Sequence, residues 1–348
     1  PQQRSSAASD VYKRQSSFRA LSQKFFSFAD SNLISGKNGS GKTTLLESIY
    51  FSIENKSFKT NNMNSFYPFE EDFFALKALF DDNSKLELSR KKSKALVRRI
   101  SPKESILNDL CPFLINNFAL NYLESSSETR RNFLDFYLFH VEQNYKKKYT
   151  EFQKSLRLRN NALREANKKT FKIWNDLFVE KSIEISSLRN KHLDKIIPLL
   201  KVNFDKDFPS EKKVNFRVEN LWLEEEDFKN ELREVYQKDS EVKYSTVGPH
   251  RLDLLYDVNA VKSGDVLSRG EQKLLILLTI LGFNQHMHNL GNKHSIFLVD
   301  DLPSELDEEN FLKCLELILD APGQKFVSSI DPDFCLLYTS DAADDRCC

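Results

Sequence analysis

Residues 36–43 read GKNGSGKT and fit the pattern G-x-x-x-x-G-K-[ST] in full. Each residue type in that pattern has a mechanical reason. Glycine lets backbone amides turn inward around phosphate oxygens, Lys42 carries a charge to the β- and γ-phosphates, and the Thr43 hydroxyl ligates magnesium. A helix that follows such a loop points its positive N-terminal end at the same phosphates. The flanks supply this context: residues 32–35, NLIS, form a short apolar strand, and Leu45, Leu46, Ile49 and Ile53 recur at helical spacing. Glycine is scarce, with nine in 348 residues, yet Gly36, Gly39 and Gly41 fall within six positions. An ordinary turn does not need that concentration. The loop, comprising Gly36, Lys37, Asn38, Gly39, Ser40, Gly41, Lys42 and Thr43 with Thr44 behind it, is therefore a binding site for a nucleoside triphosphate and Mg2+, with ATP as the expected nucleotide.

Two further elements gain meaning from the loop. Residues 296–301, IFLVDD, read as an apolar strand ending in two carboxylates. Beside a phosphate loop this is a Walker B strand, in which Asp300 holds the magnesium shell through water and Asp301 orients the attacking water. Residues 267–273, LSRGEQK, open a helix. Ser268 followed three residues later by Glu271 is a capping box, which by itself accounts for both. The same position, about 30 residues before Walker B, is where ABC-type ATPases carry the signature that grips ATP on a partner subunit. Lys42 and Asp300 stand 258 positions apart (300 − 42). That is too far for one compact nucleotide-binding half, so the middle of the chain is an insertion.

The chain divides accordingly. Residues 16–118 are expected to form the N-terminal half of an ATPase head, 119–240 a helical lobe or arm, and 241–334 the C-terminal half with signature and Walker B. From 130 to 200 there is no glycine, and Pro198 is the sole proline, at the end of the helical stretch. Residues 1–15 and 335–348, with SSAASDVYKRQ and CLLYTSDAADD, resemble translated adapter sequence and are expected to be non-native tails. The fold class that follows is α/β, a P-loop NTPase with an inserted helical lobe.

Charge and cysteine narrow the function. The chain has 51 basic and 51 acidic residues, so attraction to nucleic acid must come from a local patch. One patch is the helical segment with Lys146, Lys147, Lys148, Arg157 and Arg159; Arg90–Arg99, RKKSKALVRR, is another. Each reads either as a phosphate-contacting surface or as a solvated face. Residues 248–251, GPHR, are either a tight turn or a place where His250 and Arg251 touch DNA or a dimer interface. The five cysteines show no CxxC pair and no metal spacing, as in a reduced cytoplasmic protein. The longest apolar run, 274–282, is far short of a bilayer span, so no membrane association is expected.

With these residues in hand, the chain resembles the RecF family of bacterial recombinational-repair proteins, relatives of the SMC heads. The resemblance runs from about residue 17 to 332. Besides the phosphate loop and LSRGEQK it rests on Phe18-Arg19, LESIYFSIENKSFKT (46–60), ETRRNFLDFYLFH (128–140), RLRNNALRE (157–165), GPHRLDL (248–254) and VDDLPSELD (299–307). It implies an SMC/ABC-type ATPase head that homodimerises around two ATP molecules, with Ser268 and Gly270 reaching the partner's nucleotide in trans. Arg19 matches an arginine near the nucleotide, and Ser304–Asp307 a loop lining the partner's site. The implied work is binding gapped or junction DNA, including single-stranded DNA, in replication, DNA damage repair and the SOS response. RecO- and RecR-type partners and loading of RecA belong to the same expectation. Related heads sense the γ-phosphate with a glutamine absent from residues 111–121, where Asn116 and Asn117 stand instead, and Ser329 occupies the place of a histidine. Asp301, one methylene shorter than the glutamate usual in ABC heads, fits a weak ATPase acting as a switch. The alternatives are another ABC-type ATPase, whether a transport subunit or an SMC-like chromosome protein, and a small-molecule P-loop kinase, in which LSRGEQK would have no role.

Overall fold

The computed structural model describes residues 11–19, 21, 25–68, 71–102, 106–116, 122–165, 168–291, 293–301, 306 and 308–330. They form two compact units, one of residues 1–120 with 287–348 and one of 121–286.

The first unit contains two sheets and the helix between them. Strands β3 (Ser31–Ser35), β7 (Leu110–Ile115), β11 (His294–Val299) and β12 (Gln324–Ser329) make a parallel sheet in the order β3-β12-β11-β7. Strands β1 (Val11–Ser17), β2 (Phe25–Phe26), β4 (Phe73–Phe80), β5 (Lys85–Lys91) and β6 (Val97–Ser101) make an antiparallel sheet in the order β2-β1-β4-β5-β6. Helix α1 (Lys42–Glu54) contacts β4 of the second sheet and β7, β11 and β12 of the first. Every residue from 45 to 52 is buried, so the helix has no solvent face along that stretch. Phe18, Phe51, Phe66 and Phe74 pack as an aromatic cluster on its flank, with ring centroids 4.9–6.1 Å apart. The two serines on the buried helix are matched: Ser48 donates to the Leu45 carbonyl and Ser52 to that of Ser48.

The second unit is mainly helical. It comprises α2 (Ser127–Val141), α3 (Tyr145–Glu165), α4 (Lys168–Asp207), α5 (Glu225–Glu234), α6 (Tyr236–Val242), α7 (Ser263–Val266) and α8 (Arg269–Asn289), whose last three residues fall in the first unit. A three-stranded antiparallel sheet of β8 (Val214–Glu219), β9 (Asp253–Val258) and β10 (Val261–Lys262), in the order β10-β9-β8, completes it. Helix α9 (Glu308–Asp320) lies in the first unit, between β11 and β12 in sequence. Arginines tie the second unit together. Arg189, fully buried, donates to both oxygens of Asp135 and to the Tyr145 hydroxyl and the Pro249 carbonyl. Arg130 makes a two-pronged pair with Asp253 at 2.7 and 2.8 Å.

The structure differs from the sequence reading at four places. Residues 11–15, set aside as tail, belong to β1, since ladder hydrogen bonds with β4 depend on backbone rather than side-chain identity. Residues 241–286, expected with the ATPase head, cluster with 121–240 because α8 and β9 pack on helices of that unit. The helical stretch breaks at 142–144. Pro198 sits inside α4 on an exposed face, where water can satisfy the carbonyl its ring displaces, and the helix runs on to Asp207. Cys111 and Cys314 are free thiols, both buried. No helix among the described residues is long and apolar enough to cross a membrane.

Two buried histidines, His192 and His286, and the half-buried His250 make this unit acid-sensitive. His192 lies between Glu142 (3.3 Å) and His286 (3.0 Å), and His250 faces the Ser245 carbonyl. Desolvation pushes all three imidazoles down; for His250 and His286, helped respectively by Arg251 and by His192, the value falls to about 4. For His250 and His286 the unfolded chain takes up the proton near pH 6.5 and the folded chain near 4, and His192 is shifted in the same direction. Stability is therefore full above about pH 7 and declines as pH falls from about 6.5 to 4, by a few kcal/mol in all. Urea midpoints between pH 7.5 and 4.5 should show this decline, and His286→Gln should flatten it.

Candidate nucleotide site

The loop between β3 and α1 is shaped by its glycines. Gly39 and Gly41 have φ of 81° and 100°, in the left-handed region that side chains resist. At Gly36 a Cβ would lie 2.6 Å from the Ser40 hydroxyl, so a larger residue there would have to displace that side chain. The Gly36 amide donates to the Ser329 carbonyl at the end of β12, which fixes the start of the loop to the sheet. Gly41 caps α1 without a side chain, and the first turn of the helix carries no carboxylate, so its amides and dipole favour an anion. The Lys42 ammonium lies across the loop, donating to the carbonyls of Gly36 (2.5 Å) and Lys37 (3.2 Å).

The two motifs meet. Thr43 Oγ1 donates to Asp300 Oδ1 at 3.0 Å, and the Asp300 amide donates to the Ile115 carbonyl of β7 at 2.8 Å. Asp301 turns out of β11 with a left-handed φ of 57°. Among the described residues there is no cluster of three or more His, Cys, Asp or Glu that could hold a metal. One hydroxyl and one carboxylate instead fit Mg2+, a hard cation that keeps several waters and takes further oxygens from nucleotide phosphates. At this site Thr43 and Asp300 would hold it.

Arg19 is brought to α1 by a buried carboxylate. Its guanidinium donates to Glu47 Oε1 (2.8 Å) and Ser65 Oγ (3.3 Å) and lies 5.3 Å over the Phe66 ring. Glu47 is fully buried and also accepts from the Ser57 hydroxyl. Asn116 directly follows the strand end that anchors Asp300. Asn117, Ser304, Glu305 and Asp307 lie outside the described residues.

Ser328 was missed by the sequence reading, which named only Ser329, and that for the place of a histidine. In a strand, neighbouring side chains point to opposite faces. Ser328 bonds Asp300 Oδ1 and the Asp301 amide, whereas Ser329 offers its carbonyl to Gly36. The available signal was the pair of serines ending FVSS, beside the strand that carries Walker B.

In the second unit, Ser268 and Gly270 open α8, and the capping box is present. The Ser268 amide donates to Glu271 Oε2 (2.8 Å) and the Glu271 amide to Ser268 Oγ (3.3 Å). The basic candidates separate. Lys146, Lys147 and Arg157 are exposed on α3, and Lys148 is paired with Glu184. Arg159 is a correction: it has no exposed side-chain surface, bonds Asp239, Ser245 and Asn175, and lies against the Phe171 and Phe178 rings, so it cannot contact DNA. His250 is half-buried with its ring against the Ser245 carbonyl, while Arg251 is exposed over Tyr244.

The parallel sheet, its phosphate loop and the Walker B strand define a P-loop ATPase head of the SMC type. The model of the RecF/RecN/SMC N-terminal domain matches residues 14–338. The DNA replication and repair protein RecF of Shewanella baltica strain OS223 is 32% identical over 311 residues, 86% of each chain, and RecF of Shewanella sp. strain W3-18-1 is similar to the same extent. In fold, the chain resembles the recombination mediator protein RecF-ATP of the RecFOR pathway, with a TM-score of 0.79 at 21% identity, covering 98% and 95% of the two chains. It also resembles the Smc head domain of Pyrococcus furiosus, with a TM-score of 0.51 at 12% identity over 94% and 90%. The chain belongs to the RecF family of DNA replication and repair proteins.

The Arg19–Glu47 pair separates two roles for Arg19. Arg19→Ala leaves a buried carboxylate unmatched and should lower stability by roughly 2–4 kcal/mol without any nucleotide. An arginine that served only the nucleotide would leave the urea midpoint of nucleotide-free protein unchanged.

Proposed function

We propose that the chain is an ATP-dependent DNA-binding protein of recombinational repair. The observation that carries this reading is the Thr43–Asp300 hydrogen bond, which joins phosphate loop and Walker B strand across 257 positions of sequence. In this reading ATP and Mg2+ bind at residues 36–44 with Thr43 and Asp300, and two copies close around two nucleotides. Ser268 and Gly270 of each copy complete the other's site. Phosphates then meet the amides at the α1 N-terminus and the Lys42 charge, and Asp301 holds the attacking water in a slow hydrolysis that resets the dimer. Dimerisation is a switch because ATP adds contacts available only in the closed pair. The protein acts in the cytoplasm on gapped or junction DNA, with RecO- and RecR-type partners, and assists loading of RecA. The RecF structure solved with ATP and assigned to the RecFOR pathway supports this assignment.

The exposed basic face of α3 supports the DNA part. Lys147, Lys154, Arg157 and Arg164 are exposed at spacings of seven, three and seven, which places them along one side of the helix. The stripe is about 26 Å long at 1.5 Å per residue, enough for several phosphates.

Sedimentation with and without ATP tests the switch. The wild type should shift from monomer to dimer on adding ATP·Mg2+, and Lys42→Ala should remain a monomer; dimerisation indifferent to both would overturn the reading. For DNA, affinity of the ATP-bound protein for a gapped duplex should fall steeply with salt. Reversing Lys154 and Arg157 to glutamate should weaken binding at least tenfold and flatten the salt slope by about two. Unchanged slope and affinity would remove α3 from the interface.

A further inference from the structure

Ser328 stands at the crossing of the bonds that hold the site together. It occupies β12, the strand between the phosphate-loop strand β3 and the Walker B strand β11, and is 1% exposed. Its hydroxyl donates to Asp300 Oδ1 at 2.9 Å and accepts from the Asp301 amide at 3.1 Å. A serine hydroxyl has one proton and two lone pairs, so both directions are used by consecutive residues of the Walker B end. Asp300 Oδ1 thus receives two hydroxyls, from Thr43 on α1 and from Ser328 on β12. Both fall on Oδ1, and neither consumes Oδ2. The amide bond in turn holds Asp301 in its left-handed turn, which sets where that carboxylate leaves the strand.

We propose that Ser328 is a positioning residue for the cation and water of the ATP site, fixing the Asp300 carboxylate in the rotamer that meets the metal shell and holding the Asp301 backbone. This rests on the reading of the site as one for ATP and Mg2+. Ser328 touches neither nucleotide nor metal and acts through the two aspartates. Alanine at 328 removes one of the two hydroxyls that orient Asp300 and leaves the Asp301 amide without its acceptor, while the phosphate loop keeps its own bonds. The loss should therefore appear in the dependence on Mg2+, not in nucleotide binding as such.

The test compares full-length wild type, Ser328→Ala, Ser328→Thr and Ser328→Cys by titrating a fluorescent ATP analogue in EDTA and across a Mg2+ series, with thermal melts of each protein alone. S328A is expected to melt cooperatively and bind in EDTA within about twofold of wild type, while its half-saturating Mg2+ concentration rises at least about fivefold. S328T, which keeps the hydroxyl, should return to within about twofold of wild type. If S328A does not melt cooperatively, S328C takes its place: a thiol donates weakly, so its Mg2+ requirement should exceed that of S328T. An unchanged Mg2+ requirement in S328A or its substitute, or an equal loss of affinity with and without Mg2+, overturns the proposal. Wild-type protein whose binding of the analogue ignores Mg2+ would instead overturn the nucleotide reading beneath it.

Discussion

The first unit depends on the burial of α1 between two sheets. Leu45, Leu46, Ile49 and Phe51 are each at most 4% exposed and reach both layers. At about 25 cal/mol per Å2 of apolar surface, each such side chain contributes on the order of 1.5–3 kcal/mol. A helix held on all sides cannot tilt or slide without opening both sheets. The phosphate loop inherits that rigidity, because Gly41 and Lys42 are the cap and first residue of the helix. A loop preorganised in this way spends little binding energy on its own ordering.

The burial also explains Glu47. A carboxylate on a helix without a solvent face must be charge-matched, and Arg19 with the Ser57 hydroxyl supplies the match. Arg19 approaches from the turn after β1, so the pair ties the antiparallel sheet to the helix that carries the loop. The arginine that the family resemblance places near the nucleotide is therefore part of the scaffold as well. The second unit repeats the theme. Arg130 and Asp135 come from ETRRNFLDFYLFH, Arg189 from α4, and Pro249 and Asp253 from GPHRLDL; these residues of the motifs bond one another rather than face solvent. Arg159, within RLRNNALRE, follows the same rule with Asp239.

Local patterns made much of the first unit readable. The strand before the loop, helix α1 and the Walker B strand were all legible because each carries its own spacing or adjoining motif. Strand β7 was not, since Pro112 argues against a strand interior; the structure resolves this by placing β7 at the sheet edge. The five-stranded sheet and β8–β9 depend on pairings between distant segments, to which periodicity is blind. The surface role of Arg159 failed for a related reason. Within the run Lys146 to Arg164 every basic residue looks alike in composition, and only helical phase distinguishes Arg157, which faces out, from Arg159 two positions later, which faces in.

The long interval between the motifs is a consequence of sheet topology. Strands β7 and β11 are parallel neighbours, from Leu110 beside His294 to Ile115 beside Val299. Parallel neighbours require a crossover, for which a dozen residues and a helix normally suffice. Here the crossover is the whole span 116–293, including the second unit. Extending a flexible connection from a dozen residues to this length costs only roughly 2 kcal/mol of closure entropy, and a folded insertion loses less. The ATPase head can therefore carry a large unit inside one crossover without losing the register that brings Ile115, Asp300 and Thr43 together.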